Sequence, residues 1–210
     1  MKFHGITLHR KLERNMGLLI FGILFVSAIG GLVQILPSIN QPSLSEATDN
    51  SHLYNAIELT GRDIYIKEGC HVCHTQQVRP LVAEVERYGP FSRADEFVYD
   101  RPFLWGSKRT GPDLHRVGGK YSDAWHRAHL IDPRSVVDNS IMPAYPWLDE
   151  NMAADVGDIQ KKMRGLKTLG HPYTEEAIEA APAQLTDMTE MEALIAYLQM
   201  LGTSLGEEFR

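Results

Sequence analysis

The sequence predicts an all-α fold, in which one membrane-spanning helix precedes a single helical domain. Three observations predict it: an uncharged apolar run over residues 16–36, helical patterns over residues 55–69 and 189–202, and only two cysteines, which stand three positions apart. A chain of 210 residues has room for one modest domain and an appendage. Its hydrophobic fraction of 43% excludes a polytopic membrane protein and a disordered chain.

The run from Met16 to Leu36 is predicted to be a retained membrane anchor. At about 1.5 Å per residue it spans roughly 30 Å, the thickness of one bilayer core. A cleaved signal peptide is the alternative, but its apolar region is usually only about 7 to 15 residues long. The small-x-small pattern that cleavage would need, Ala28-Ile29-Gly30, lies inside the run. Residues 15–37 are therefore assigned to a transmembrane helix.

Charge predicts how the anchor is oriented. Residues 1–14 carry a net charge of +3, and the rest of the chain carries −9. Because the positively charged flank of a membrane helix stays in the cytoplasm, we expect residues 1–14 to be cytoplasmic and the residues after the anchor to face the periplasm or an equivalent outer compartment. A linker with Pro, Ser and Asx residues follows at 38–54. Residues 55–210 would then form a periplasmic domain, with extra helices after residue 148.

The most informative motif is Cys70-His71-Val72-Cys73-His74, which has the C-x-x-C-H pattern of c-type haem attachment. Two thiols on one helical turn can reach the two vinyl groups of one porphyrin and form thioethers with them. His74 then points its imidazole at the iron, and we expect a backbone carbonyl to orient its other ring nitrogen. The motif predicts one covalently bound haem c.

A redox-active C-x-x-C and half of a zinc site are the alternatives for this cysteine pair. The redox motif expects a preceding strand in a βαβ unit, but the residues before Cys70 follow a helical pattern. Zinc would need a second set of ligands, and the sequence has no further cysteine. His115, His126 and His129 are too scattered to make a pair of the zinc-finger type.

Helical segments lie at both ends of the predicted domain. The first carries Gly61 and Tyr65 on one face. The last begins with a capping box of Thr189 and Glu192 and is ended by Gly202. We expect the two helices to cross at Gly61, where there is no side chain to separate them. This arrangement resembles the class I cytochrome c fold, in which the N- and C-terminal helices pack together beside the haem.

Met142 is predicted to be the sixth ligand of the iron. The sequence has eight methionines and several further histidines, so composition does not choose among them. Met142 lies in the loop N-S-I-M-P-A-Y-P, which its prolines make rigid. The methionines at 152, 163, 188, 191 and 200 lie in helical patterns, where core packing is expected. A thioether ligand stabilises ferrous iron and raises the reduction potential.

Three segments between Cys70 and Leu148 resemble a known family. They are CHVCHTQQVRPLVAEVERYG, WGSKRTGPDLHRVGGKYSDAWH and DPRSVVDNSIMPAYPWL, and the anchor stands in its expected place before them. The chain resembles the FixO-like, mono-haem, membrane-anchored subunit of cbb(3)-type cytochrome c oxidases, which are the C-family of haem-copper oxidases.

The resemblance implies a subunit that relays single electrons from a di-haem cytochrome c subunit to haem b of the catalytic haem-copper subunit, in aerobic or microaerobic respiration. Such a chain is the electron-transfer subunit of an enzyme and catalyses no reaction alone. Its partners would be those two subunits and membrane lipid, with no nucleic acid.

By motif, the resemblance assigns Cys70 and Cys73 to haem attachment, and His74 and Met142 to axial ligation of the iron. It adds further residues around the cofactor. The backbone of Gly111-Pro112 would line the haem ring.

The resemblance also places a basic segment beside the cofactor. Arg79, Trp105, Lys108 and Arg109 would contact haem propionates or the catalytic subunit. Ser107 is a candidate ligand for a calcium ion at the subunit interface.

Two other functions stay open on the sequence. A haem-based sensor or peroxidase would leave the iron open and would not need Met142. An independent membrane-tethered shuttle would use the same haem but would migrate without an oxidase.

Overall fold

The computed structural model describes residues 4–41 and 46–205 of the chain. Within these residues it contains helices and no strand, apart from an isolated bridge between Met152 and Thr189. The chain divides into two compact units, Met1–Glu46 and Ala47–Arg210. The predicted all-α fold is confirmed. The predicted linker at 38–54 lies partly outside the described residues.

The first unit contains helix α1, His4–Arg14, and helix α2, Met16–Ile39. Asn15 caps α2, because its side chain accepts a hydrogen bond of 3.1 Å from the backbone N–H of Leu18. None of the described side chains of α2 is buried, and the helix is long and apolar enough to cross a membrane. The predicted membrane-spanning helix is therefore present, and it extends to residue 39 rather than ending at residue 37.

The second unit is built from short helices joined by loops. Asn55 caps its first helix, and the side chain of Asn55 forms a capping box with Glu58. In chain order the helices are α3 (Ala56–Lys67), α4 (Cys70–Cys73), α5 (Val82–Tyr88), α6 (Asp123–Ile131), α7 (Ile159–Thr168), α8 (Glu175–Ala180) and α9 (Glu190–Met200). Short 3-10 turns occur at Ala94–Phe97, Pro133–Ser135, Pro146–Asp149, Ala153–Asp155 and Pro182–Leu185.

Helices α3 and α9 cross at Gly61, as the sequence predicted. A Cβ atom at Gly61 would collide with the backbone carbonyl of Ala193 and would lie 2.8 Å from Cβ of Tyr197. The rings of Tyr65 and Tyr197 pack beside the crossing with their centroids 5.6 Å apart. The Thr189 capping box and the positive φ of Gly202, 73°, are also present at the two ends of the last segment. The crossing is thus the centre of the core.

The extra helices after residue 148 complete the same core. Met163, Ile178 and Leu185 are each at most 2% exposed and pack into the cluster that α3 and α9 form. The first of these extra helices, α7, starts at Ile159, because Asp158 caps it by accepting a 2.9 Å hydrogen bond from the N–H of Lys161. The residues before it form the isolated bridge and a 3-10 turn.

A buried guanidinium ties α3 to the loop near residue 100. Arg62 is 2% exposed and donates hydrogen bonds to the carbonyls of Arg101, at 3.0 Å, and Pro102. Its Nε lies 3.8 Å from the carboxylate of Asp100, which accepts a 2.6 Å hydrogen bond from the hydroxyl of Tyr54. An unpaired buried charge is strongly destabilising, so Arg62 has to keep these partners. The loop at residues 100–102 is therefore held against α3.

We predict that Gly61→Ala destabilises the second unit. The added methyl group meets backbone atoms, which cannot rotate away, so overpacking should cost about 1–3 kcal/mol or more. Thermal unfolding of the full chain in detergent would measure this loss.

Gly165→Ala is the matched control, because Gly165 is an exposed glycine inside α7 and a Cβ there meets nothing within 4 Å. It should leave the melting temperature unchanged or raise it, since alanine favours helix by about 0.5–1 kcal/mol over glycine. Equal melting temperatures for Gly61→Ala and the wild type would contradict the close crossing.

Candidate functional site

The two cysteines lie on a single helical turn directly after α3. Gly69 has a φ of 74°, a left-handed conformation that glycine adopts without strain, and it lets the chain turn from α3 into α4. Cys70 packs against the core, whereas Cys73 is exposed. Burial raises the pKa of the Cys70 thiol to about 12. Cys70 is therefore protonated at neutral pH, unlike the low-pKa thiolate that a thioredoxin-type motif requires.

The imidazole of His74 is held in one orientation by the backbone of residues 111 and 112. Its Nδ1 lies 2.9 Å from the carbonyl oxygen of Pro112, which can only accept a hydrogen bond. Nδ1 therefore carries the proton, and Nε2 has a lone pair that can bind a metal. Burial lowers the pKa of His74 and the hydrogen bond to Pro112 opposes that shift, so the ring is neutral at pH 7.

Gly111 allows the loop to approach this ring closely. A Cβ atom at Gly111 would collide with Cε1 of His74 and would lie 2.6 Å from both ring nitrogens. The N–H of Gly111 donates a 3.0 Å hydrogen bond to the carbonyl of Cys73. On the other side, the hydroxyl of Tyr65 donates a 2.6 Å hydrogen bond to the carbonyl of His74. The sequence placed Tyr65 on a packing face and did not predict this contact.

The loop over residues 104–114 is fixed to the segment that follows His74. Thr75 makes two of the bonds: its carbonyl accepts a hydrogen bond from Leu114 N, at 3.0 Å, and its Oγ1 accepts one from Gly106 N, at 2.9 Å. The buried carboxylate of Asp113 accepts hydrogen bonds of 2.9 Å from the N–H groups of Gln77 and His115. These bonds set the position of the Pro112 carbonyl.

Two of the predicted basic residues converge on one carboxylate, that of Glu84 in α5. Arg79 pairs with Glu84 through both its backbone N–H and its guanidinium, and Arg109 donates a 2.9 Å hydrogen bond to the same carboxylate. The hydrogen bond from the Arg79 side chain is the main reason why the pKa of Glu84 falls to about 2. Sequence analysis missed Glu84, although its position five residues after Arg79 at the start of a helix was a usable signal.

The remaining predicted residues of this segment lie on its surface. Ser107 and Lys108 are exposed. Trp105 is 40% exposed and stacks on Phe103, with ring centroids 4.3 Å apart. The described residues contain no group of three or more His, Cys, Asp or Glu side chains arranged to hold a metal ion.

Met142 lies in its predicted loop, half-buried against the same core cluster that Cys70 contacts. Its N–H donates a 3.2 Å hydrogen bond to Oγ of Ser140, and the N–H of Tyr145 donates a 2.8 Å bond to the carbonyl of Leu130 in α6. The loop is thereby attached to α6. Just after the loop, Nε1 of Trp147 donates a 3.3 Å hydrogen bond to the carboxylate of Glu68, two residues before Cys70, so the loop and the cysteine turn are neighbours. Burial raises the pKa of the Tyr145 hydroxyl, and the thiols of the α4 turn contribute to the shift.

The other methionines have mostly the structural positions that the sequence predicted. Met163, Met191 and Met200 are buried core residues. Met152 and Met188 differ, because neither lies in a helix: Met152 forms the isolated bridge to Thr189, and Met188 lies just before α9. Met142 is thus a methionine presented by a loop beside the cysteine turn.

Three histidines near the site differ in their hydrogen bonds. His115 is buried, which lowers its pKa well below the usual range, and its Nδ1 shares a 2.5 Å hydrogen bond with Oγ of Ser92. His126 and His129 lie in α6, and each has one buried ring nitrogen without a hydrogen-bond partner among the described residues. These two nitrogens are exceptions to the rule that buried polar atoms in proteins are hydrogen-bonded.

The donors at this site fit a c-type haem. Two thiols one turn apart can bind the vinyl groups, a neutral imidazole presents a lone pair at Nε2, and a thioether lies in the adjoining loop. The imidazole of His74 occupies the space that a side chain at residue 111 would fill. This chemistry differs from that of a zinc site, which needs a closed set of four ligands.

Fold and site together define an all-helical protein of the cytochrome c class with a membrane-spanning helix near its N-terminus. Residues 9–188 match the family model described as cytochrome c oxidase, mono-heme subunit/FixO. The chain belongs to this family, and it is therefore a mono-haem electron-transport subunit of a cytochrome c oxidase. The match includes α2, the cysteine turn and the Met142 loop, and it ends just before α9. Among curated proteins, a sequence search finds no match.

We predict that Gly111→Ala displaces the His74 imidazole. The new methyl group would occupy the position of the ring, so either the ring or the loop must move, at a cost of about 1–3 kcal/mol. The absorption spectrum and the haem content of the purified chain would show this as a smaller low-spin haem fraction.

Gly106→Ala is the matched control in the same loop, because a Cβ at Gly106 lies 3.8 Å from Thr75, an ordinary contact distance. It should leave the spectrum unchanged. A full low-spin spectrum for Gly111→Ala would show that the ring does not depend on this close approach.

Proposed function

We propose that this chain holds one haem c covalently and uses it to relay single electrons within a cbb(3)-type oxidase. Cys70 and Cys73 form the thioethers, Nε2 of His74 is one axial ligand and the sulfur of Met142 is the other. The observation that carries this proposal is the hydrogen bond from Nδ1 of His74 to the Pro112 carbonyl. It supports ligation because it leaves Nε2 of a neutral ring as the atom that can bind iron.

Each residue at the site has a defined task in this proposal. A bound haem supplies a one-electron redox couple. Burial keeps the His74 ring neutral, and the Pro112 carbonyl together with the close approach at Gly111 keeps it fixed, so that no proton has to move at this ring during electron transfer. Met142 closes the sixth position, and its soft sulfur favours the ferrous state, which raises the reduction potential.

The closed site supports a relay role without chemistry on oxygen. Reduction of oxygen to water requires four electrons and an open metal position, whereas one haem with both axial positions filled provides one electron and no open position. In our proposal the electrons come from a di-haem cytochrome c subunit and pass to haem b of the catalytic haem-copper subunit. Catalysis belongs to that partner.

The anchor gives the proposed location. We propose that α2 crosses the bacterial inner membrane once, with the N-terminus in the cytoplasm and the haem domain in the periplasm. The net charge of +3 before the helix and −9 after it supports this orientation. Haem attachment to c-type cytochromes normally takes place on that outer side.

The loop over residues 104–114 is proposed to face the catalytic subunit. Its exposed aromatic pair and Lys108 offer a mixed apolar and basic surface. The exposed hydroxyl of Ser107 could supply one oxygen to an interface calcium ion, which prefers oxygen ligands. For Arg79 we propose a position beside the haem propionates, supported by the way Glu84 fixes its guanidinium five residues after His74.

Redox-resolved absorption spectra of the membrane complex, purified through this chain under mild conditions, test the proposed function. We expect haem b bands together with the haem c band, because the catalytic subunit should copurify. Haem c alone would favour an independent shuttle and contradict the oxidase assignment.

Met142→Ala tests the axial ligand in the same preparation. We expect it to abolish the low-spin spectrum with methionine ligation and to lower the reduction potential, since the soft ligand is lost. Met152→Ala is the control, because Met152 is also half-buried outside the helices. An unchanged spectrum in Met142→Ala would indicate an open iron, as in a sensor or peroxidase.

A further inference from the structure

Three aromatic rings form a continuous stack at the start of α6 and along one face of it. Trp125 and His129 are four residues apart within α6, which places their side chains one above the other, and Tyr121 lies two residues before the helix begins. The rings of Tyr121 and Trp125 are 4.0 Å apart and tilted by 17°, and those of Trp125 and His129 are 4.7 Å apart and tilted by 12°. Tyr121 is 45% exposed, whereas His129 is half-buried. The stack therefore runs from the surface towards the interior and fixes the plane of the His129 ring.

The inner end of this stack has an unused hydrogen-bonding atom. Nδ1 of His129 is buried and has no hydrogen-bond partner among the described residues. Buried polar atoms in native proteins are almost always bonded, so an unpaired one in a rigidly held ring calls for a partner beyond the residues that the structure describes. The stacking by Trp125 makes it difficult for the ring to rotate Nδ1 towards solvent.

The position of His129 points to the haem pocket. The next residue, Leu130, accepts the hydrogen bond from Tyr145 that attaches the Met142 loop to α6. Leu130 also packs in the same core cluster as Cys70 and Met142, which places this end of α6 beside the cysteine turn. Burial lowers the pKa of His129, and the imidazole of His74 lowers it further, in agreement with that placement. Burial also lowers the pKa of His126, one turn earlier on the same helix. The charged groups that contribute to its shift are Asp123 and His129, and His74 is not among them. Of the two histidines of α6 that have an unpaired nitrogen, His129 is the one beside the proposed axial ligand.

We propose that Nδ1–H of His129 donates a hydrogen bond to a carboxylate of the bound haem, and that Trp125 is the positioning residue that orients it. This inference rests on the proposed function. A haem carries two propionate groups, and their negative charges need donors when they are buried. A ring nitrogen held in a fixed plane loses little freedom on making such a bond.

The hydrogen bond has a predictable effect on the haem. A donor withdraws negative charge from the carboxylate, which lowers the stability of the ferric ion relative to the ferrous ion. Removal of the donor should therefore lower the reduction potential. We expect the reduction equilibrium to shift about tenfold, which is ~59 mV for a one-electron couple.

His129→Phe is the decisive variant, because phenylalanine keeps a ring for Trp125 to stack on but has no N–H donor. Spectroelectrochemical titration of the haem c in the purified complex should show the lowered potential, with an unchanged low-spin spectrum. His129→Gln, which retains an N–H donor, should restore most of the wild-type potential. His129→Met is a second donor-free variant, to be used if His129→Phe does not load haem.

Two further variants separate a specific contact from general disturbance of α6. His126→Phe is the matched control, since it removes an unpaired histidine nitrogen from the same helix, and it should shift the equilibrium less than about twofold, ~18 mV. Trp125→Leu removes the stacking partner and should move the potential in the same direction as His129→Phe, by a smaller amount.

Several results would overturn the inference. Equal potentials in His129→Phe and the wild type would exclude the hydrogen bond, and so would equal shifts in His129→Phe and His126→Phe. Loss of the low-spin spectrum in both His129→Phe and His129→Gln, with no loss in Met142→Ala, would make His129 an iron ligand. If the wild-type chain itself carries no haem c, the proposed function fails; if it carries haem with histidine and methionine ligands, only the role of His129 is in question.

Discussion

The hydrogen bond from Nδ1 of His74 to the Pro112 carbonyl is the interaction on which the rest of the site depends. It joins two segments that are 38 residues apart in sequence and decides which ring nitrogen is available to a metal. The bond is possible only because Gly111 has no side chain where the imidazole lies. The hydrogen bonds between the loop and Thr75, and those to Asp113, all serve to place that one carbonyl.

Packing in the core holds the segment that carries His74. Gly61 lets α3 and α9 pack backbone against backbone, which fixes the end of α3, and the cysteine turn begins three residues after that helix ends. Tyr65 connects the helix crossing to the site. Its ring packs beside Tyr197 in the crossing, and its hydroxyl donates a hydrogen bond to the His74 carbonyl. A change in packing at the crossing would therefore displace His74, the proposed iron ligand, through the side chain of Tyr65.

Local signals in the sequence predicted much of this structure, but pairings between residues that are far apart in the sequence were not predicted. The capping boxes, the glycine at the crossing and the C-x-x-C-H turn each depend on a few neighbouring residues, so spacing alone reveals them. The pairing of Arg109 with Glu84, which are 25 residues apart, depends on how α5 folds back onto the loop. The bridge between Met152 and Thr189 likewise joins two distant segments of the chain. The unpaired nitrogen of His129 became visible only when the surroundings of α6 were known.

The central claim is that Cys70 and Cys73 hold one haem while the chain remains anchored by α2. The most direct measurement is the intact mass of the denatured chain, purified from cells that mature c-type cytochromes and treated with a thiol-alkylating reagent. Our account predicts the mass of the polypeptide plus one haem, with no alkylated cysteine. The mass of the bare polypeptide with both cysteines alkylated would contradict it.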